Sequence, residues 1–513
     1  MAPDKNREKK PVGYLYLTEK HNLNLIKNWH LSYTWSSSEH LVENKSDQVC
    51  EIFPRRMNPE STEFAHLEFA VKYDGYNLEI LTEIFKVIDV NEFVSFIKEK
   101  KTSPTRRRLW FLYEWSTGTR LPIDDLTTQS YIPVLNPEEY FTLENPKRVT
   151  RQRVLDNLLG TVHFCPTVRK TDLLKDIPSY KFQHKFKSIL DNYEEDVRSR
   201  AMSYLYLRET KSSYLIEHET PNPSKTARFV NLLSLADVKD FCNKDSLIDL
   251  QKRIVDPRFA IDDYRTNQNY VGSTSIVGGE IIHYISPRPE DLPELMDGLI
   301  ESHRRMLAGN VHSIAHAAAI AWGFVFLHPF EDGNGRTHRF LIHNIFAMSG
   351  LTPSGFILPV SATMFNNMGL YNQSLEQFSV PLVRLIDFDL DDDGKMTVNN
   401  ETKRFYRYID FTTQAETLLS FIDKTVETEL VIELDYLKRY DKTKQALQEI
   451  VDLPGQKLEL LIRSLSGNKG KLGDIRRRKN FDFLTDDEVV QLESSFQENW
   501  GESFDAPDDS LNR

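Results

Sequence analysis

The residues of this chain best suited to chemistry lie between 326 and 341, in FLHPFEDGNGRTHRFL. Two His, two acids, an Asn between two Gly, and two Arg crowd together there between apolar runs. Pro329 directly after His328 fits a chain leaving a helix. Gly333-Asn334-Gly335 supplies the backbone freedom of a tight loop, and RTHRFLIHNIFAM then takes up helical spacing. Successive N–H groups in such a loop make a concave nest for an anion, and the helix dipole adds positive potential. Arg336 and Arg339 are three apart and share nearly one helical face. Two guanidinium forks beside a nest suit a polyphosphate. Asp332, just before the nest, can hold Mg²⁺, which prefers one or two carboxylates together with phosphate oxygens. His328, on the other side, can take a proton from an attacking hydroxyl. The pieces add up to a nucleotide, a metal and a base. The spacing is not that of a Walker A loop.

Those residues need rigid neighbours. NVHSIAHAAAIAWGFVFL is almost wholly apolar, with Ala on much of its surface, and predicts a buried central helix ending at the loop. On it His312 and His316 stand one turn apart and read as packing or as a second layer behind the site, not as metal ligands. PEDLPELMDGLIESHRRML predicts another helix, and YVGSTSIVGGEIIHYISPRPEDL, β-branched and Gly-punctuated, a hairpin. Upstream, YKFQHKFKSILDNYEEDVRSRAMSYLYLRETKSSYLIEHE reads as one long helix, with another after TPNPSK. YNLEILTEIFKVI and VNEFVSFIKEK are helical, and RRRLWFLYEW is expected to be a helix with a solvated start and a packed aromatic face. DLDDDG at 389–394 reads as an acidic hairpin turn, because an EF-hand loop needs a bidentate acid where Asn400 stands. SGNKGKLGDIRRRKNF, at 466–481, reads as a solvated loop between helices.

HPFEDGNGRTHR resembles the Fic-domain signature, His-Pro-Phe-x-Asp/Glu-Gly-Asn-Gly-Arg-x-x-Arg, at every defined position. The resemblance, from about 197 to 385, implies a mainly α, Fic-type helical core with a β-hairpin flap. It implies transfer of AMP from Mg·ATP to a Tyr, Thr or Ser hydroxyl of a target protein. By the same resemblance His328 is the base and Asp332 the Mg²⁺ ligand. Gly333, Asn334 and Gly335 surround the α- and β-phosphates. Arg336 meets the β-phosphate and Arg339 the γ-phosphate, while Phe330 seats the loop. The hairpin at about 270–284 is the flap that aligns the target by strand addition. Transfer of phosphate, UMP or phosphocholine, removal of AMP, and a silent regulatory module stay open as alternatives.

Two further positions follow from the resemblance. Fic proteins often carry a Tyr-Tyr pair near the adenine; here Tyr371 is followed by Asn372. The helix end RETKSSYLIEHE resembles the inhibitory motif Ser/Thr-x-x-x-Glu-Gly/Asn through Ser213 and Glu217, four apart on one helical face. In the family that Glu pairs with the second Arg of the signature, here Arg339, and blocks the γ-phosphate position. Position 218 departs from the motif, being His.

The chain has 513 residues, enough for two to four domains. Residues 1–150 are expected to form a largely helical accessory domain with a disordered basic tail. Residues 151–385 would be the Fic domain, with its inhibitory helix at about 197–218, and 386–513 a helical accessory domain with an acidic tail. No apolar run is long enough for a membrane span. Cys50, Cys165 and Cys242, unpaired by motif, point to a cytoplasmic setting rather than a disulfide or zinc framework. A net charge of −12 argues against a general nucleic-acid binder. The partners implied are ATP and a target protein, with a homodimer left open.

Overall fold

The computed structural model describes residues 9–45, 48–175, 179–274 and 280–500. The chain ends and the hairpin tip at 275–279 lie outside the described residues. The protein is mainly α-helical, with small sheets of two to four strands. No helix among the described residues is long and apolar enough to cross a membrane. Two compact units emerge, one of Met1–Ile177, Lys239–Ser349 and Gly369–Leu418, the other of Pro178–Val238, Gly350–Met368 and Leu419–Arg513.

In the first unit, Leu78–Val87 and Val90–Glu99 are the helices that the spacing predicts. Asn77 Oδ1 caps one, accepting from the Ile80 N–H at 3.1 Å, and Asp89 Oδ1 caps the other, accepting from Asn91 and Glu92 at 2.8 and 2.9 Å. Pro104–Thr117 follows, with Pro in its first turn and Gly118 left-handed at its end (φ 67°). Its start is not solvated: Arg106 and Arg107 are each only 3% exposed. Arg106 lies 3.9 Å over the Phe96 ring and pairs with Glu99 at 2.9 Å. Arg107 donates to the carbonyls of Gln152 and Ser130 at 3.0 and 2.8 Å. A guanidinium fork that finds carbonyls on neighbouring loops can stay inside, where a run of Arg suggested water.

This N-terminal region is also less purely helical than expected. Lys10–Val12, His30–Thr34, Gln48–Phe53 and Leu41–Lys45 form a sheet in that spatial order, with a parallel middle pair running from His30 opposite Val49 to Thr34 opposite Phe53.

The middle of this unit is built round the predicted central helix. It runs Ser313–Ala317, a π turn at Ala318–Trp322, then Gly323–Leu327. Ala317 through Trp322 are wholly buried. Small side chains let the helices Leu292–Ala308 and Asn334–Met348 pack closely on it. His316 Nε2 lies 3.0 Å from His303 Nδ1, and His303 Nε2 lies 3.1 Å from Asp240 Oδ1, a buried polar chain within this packing. Further on, Phe388–Leu390 and Met396–Val398 form the expected acidic hairpin, its turn held by Asp391 Oδ1 accepting from the Asp393 and Lys395 N–H groups at 3.1 and 2.8 Å.

In the second unit the expected single long helix is two, Ser179–Leu190 and Glu195–Leu215. The break is a turn in which Asn192 and Tyr193 donate to Ile189 and Leu190 carbonyls. Glu195 and Asp196 then favour a fresh helix start by facing the positive end of its dipole. Pro223–Leu233 follows, capped by Asn222. At the C-terminal end, Gly455–Ser466, Asp474–Asn480 and Asp486–Trp500 enclose Leu461, Phe481 and Trp500. The basic segment is therefore partly helical, and its charges are partly paired, Arg477 with Asp486 at 2.5 Å and Lys471 with Glu493 at 2.7 Å.

Candidate active site

The central helix stops at Leu327 because His328 turns left-handed, with φ 49° and ψ 57°. That conformation costs a non-glycine residue about 1–2 kcal/mol, so neighbours must hold it. The His328 N–H donates to the Phe324 carbonyl at 2.9 Å. Ring Nδ1 lies 3.1 Å from the Val325 carbonyl. A carbonyl only accepts, so Nδ1 carries the proton and Nε2 the lone pair. The His328 pKa is lowered to about 4, mainly by burial and in lesser part by the Arg265 charge, against the opposing pull of Val325 and Asp332. The ring is neutral at pH 7 and can accept a proton at Nε2.

A buried residue that the sequence reading passed over fixes this loop. Arg265, 3% exposed, donates from Nε to the His328 carbonyl at 2.8 Å, from Nη1 to Asn267 at 2.7 Å and from Nη2 to Pro287 at 2.6 Å. Its own N–H donates to the Pro329 carbonyl at 2.9 Å. One guanidinium thus ties the signature loop to both ends of the hairpin. Burial pushes its pKa down to about 10, which still leaves it charged. A single Arg between Tyr and Thr gives no periodic or motif signal by which one sequence would reveal it.

Asn334 closes the loop as well as lining it. Its Oδ1 accepts from the Phe330 N–H at 3.0 Å and its Nδ2 donates to the Phe330 carbonyl at 2.7 Å. Phe330 is wholly buried, its ring 6.0 Å from Phe324 and 6.2 Å from Tyr264. Gly333 has φ 89°, and a Cβ there would stand 2.8 Å from Val255 Cγ1, so glycine is required twice over. Helix Asn334–Met348 starts here without a side-chain cap. Its first turn is where the sequence reading expects an anion nest, since the first N–H groups of a helix have no intrahelical acceptor. Arg336 and Arg339 are buried at its start, 1% and 2% exposed. Asp332 is partly exposed; its Oδ1 accepts from Arg336 Nη2 at 2.6 Å and from the Gly333 N–H at 2.6 Å, and Oδ2 takes neither bond.

The hairpin pairs Tyr270–Thr274 with Glu280–Ile285, with a register shift between Val271 and Gly272. It is a two-stranded sheet, so each strand keeps an unpaired edge among the described residues. Val271 and Ile281 are 44% and 52% exposed. At its base the Tyr284 hydroxyl donates to the Phe326 carbonyl, two residues before His328. Tyr371 is buried, its ring stacked 6.2 Å from His338 and edge-on at 6.4 Å to Trp322.

In the second unit, Ser213 is buried near the end of Glu195–Leu215, and Glu217 lies just past that end. Glu217, His218 and Glu219 donate from their N–H groups to Tyr214, Leu215 and Tyr214 at 3.0, 2.9 and 3.1 Å. His218 has φ 57°. This is a Schellman close, with Glu217 as the cap and His218 at the left-handed position that follows it. Gly or Asn suits that position best, which accounts physically for the residue types of the motif; here His takes the strain.

Residues 241–346 match the Fic/DOC family model. The protein adenylyltransferase Fic of Culex quinquefasciatus is 30% identical over 132 residues, covering 25% of this chain and 23% of that protein. Its Drosophila melanogaster namesake is 28% identical over 177 residues, 34% of this chain and 33% of that protein. Protein adenylyltransferase fic-1 of Caenorhabditis elegans is 31% identical over 135 residues, 26% of this chain and 24% of that protein. The chain thus spans a quarter to a third of the length of the curated relatives it matches.

Proposed function

We propose that this chain, which carries a Fic/DOC-family domain over residues 241–346, is a protein adenylyltransferase. A hydroxyl oxygen of a target protein attacks the α-phosphorus of ATP; a new P–O bond forms, the bond to the β-phosphate oxygen breaks, and pyrophosphate leaves. His328 Nε2 takes the hydroxyl proton. The observation that carries this reading is a neutral ring, lone pair on Nε2, held beside an uncapped helix N-terminus with two buried Arg. An anionic nucleotide in that nest would favour the protonated ring and bring its pKa toward the range where general-base catalysis is most effective.

Gly333, Asn334 and Gly335 cradle phosphates, Arg336 and Arg339 neutralise them, and Phe330 keeps the loop seated. Asp332 fits as the Mg²⁺ ligand, since its Oδ2 is not spent on Arg336 or Gly333 and its side chain is 40% exposed. When bound, the metal would neutralise phosphate charge. Tyr371 borders the adenine end. The flap presents a free strand edge to the target segment. The resemblance of residues 213–218 to the inhibitory motif supports a restraint of the reaction by Glu217, steadied by Ser213. The odd number and wide spacing of Cys50, Cys165 and Cys242 in the sequence support a reducing compartment, the cytoplasm.

The test is incubation of the full chain, and of Glu217→Gly, with α-labelled and γ-labelled ATP in a cell lysate. Label on protein from the α- but not the γ-position, with the mass of AMP, supports the reading. Label from the γ-position, or another added mass, replaces it with a different transfer.

A further inference from the structure

The first unit contains a cavity of about 230 Å³ whose walls include no residue of the signature loop. They come from the N-terminal segment around Trp29 and Glu79, from 167–171, from one side of the helix Met368–Val383, and from 405–416. Its polar groups are of both signs and are incompletely used. Gln414 is 2% exposed; its Nε2 donates to the Ser374 carbonyl at 2.7 Å, while its Oε1 is buried without a hydrogen-bond partner. Such an acceptor is costly to bury unless something donates to it. Glu79, 7% exposed, accepts from the Ile26 N–H at 3.1 Å through Oε1. Burial pushes its pKa up to about 8, so it is poised to ionise when a cation arrives. Glu416 accepts the Thr171 hydroxyl at 2.5 Å with one oxygen.

Donors line the same space. Arg169 uses Nε on Asp410 at 2.8 Å, and its guanidinium lies 4.4 Å over the Trp29 ring. Gln377 accepts from Lys27 Nζ at 3.1 Å through Oε1, which leaves its amide N–H groups as donors. Leu78, Phe378 and Tyr408 make part of the wall apolar. Asp410 is already satisfied by Arg169 and by the Thr412 N–H at 2.9 Å. A polyanion entering here meets Glu79 and Glu416; a polyamine meets Lys27 and Arg169. A small solute with one carboxylate, one ammonium and an apolar body meets a partner for each part.

We propose that this cavity binds a free α-amino acid with an apolar or aromatic side chain. The full chain, without nucleotide, is titrated with each common L-amino acid at millimolar concentration, read by thermal shift and ligand-observed NMR. Inorganic phosphate and putrescine serve as probes of single sign. At least one apolar or aromatic amino acid should bind saturably, and Gln414→Leu and Glu79→Gln should each weaken it by about tenfold. Glu79→Gln keeps the side-chain shape and removes a buried ionisable group, so it provides a folded variant even if Gln414→Leu is unstable. The proposal is overturned if no amino acid binds the wild type, if affinity is unchanged in both variants, or if phosphate or putrescine binds instead. None of these readouts involves nucleotidyl transfer, so failure here leaves the adenylyltransferase reading untouched.

Discussion

His328 and His218 are both left-handed residues at the ends of helices, with φ of 49° and 57°. The resemblance ends there. His328 is enclosed: its ring is fixed on Val325, its carbonyl is gripped by a buried Arg265, and the loop after it is stapled by Asn334 to Phe330. His218 is exposed, in a turn set by backbone bonds to Leu215 and Tyr214. Both carry a similar local cost, of about 1–2 kcal/mol. Only the first is surrounded by groups that would forbid relaxation. Strain kept in place by a buried network marks a position where geometry is used; strain at an exposed cap is incidental to the side chain.

The widest gap between the two should appear in catalysis. His328→Ala should lower AMP transfer by about 10²–10⁴-fold, while His218→Ala leaves it within a few-fold, measured with α-labelled ATP. The pH profile adds a sign. Because the folded His328 pKa is lowered to about 4, kcat/KM for ATP should show no loss attributable to this ring from pH 7 to 5 and should fall as pH approaches 4. The matching stability term runs the same way. The unfolded ring takes up its proton near its ordinary pKa and the folded ring does not, so stability is lost as pH drops from about 6.5 toward 4. A kcat/KM profile with a His-like midpoint near 6.5 would contradict the burial argument.

Next in size is the network itself. Arg265→Met leaves the carbonyls of His328, Asn267 and Pro287 without their donor, at a cost on the order of 3 kcal/mol. It should lower kcat far more than it raises KM for ATP, since it misplaces the base and leaves the phosphate nest. Arg265→Lys should not restore activity, because a single ammonium cannot reach three diverging carbonyls. Recovery by Lys would show that charge, not the fork, is what matters.

The contrast also explains what a sequence reveals. The signature, the central helix and the hairpin were legible because each carries a dense local pattern: Gly and Asn where the backbone turns, Ala where helices touch, β-branched residues between Gly. Arg265 was not, because its partners are carbonyls contributed from 267, 287 and 328, which no side-chain pattern encodes. Arg106 and Arg107 were read as solvated for the same reason. The four-stranded sheet was missed because its strands are short and its middle pair is parallel, so the partners are far apart in sequence. The break at 191–193 was hidden by continuous helical spacing on either side of it.

At the helix end that resembles the inhibitory motif, the expected effects are smaller and of opposite direction. Glu217→Gly should raise auto-modification by about 5- to 150-fold, the usual span of a coupling between two sites. Unchanged activity in that variant would remove Glu217 from regulation. His218→Gly touches the same turn without removing the carboxylate. Glycine accepts φ near 57° freely, recovering about 1–2 kcal/mol of left-handed strain, and gives back about 0.5–1 kcal/mol through its greater freedom when unfolded. A net gain of about 0.5–1 kcal/mol should therefore slow hydrogen exchange at the Leu215 to Glu219 amides. If the turn's geometry holds Glu217 in its restraining position, the same change should lower basal transfer slightly; a rise would mean that His218 itself, rather than the turn, takes part in the restraint.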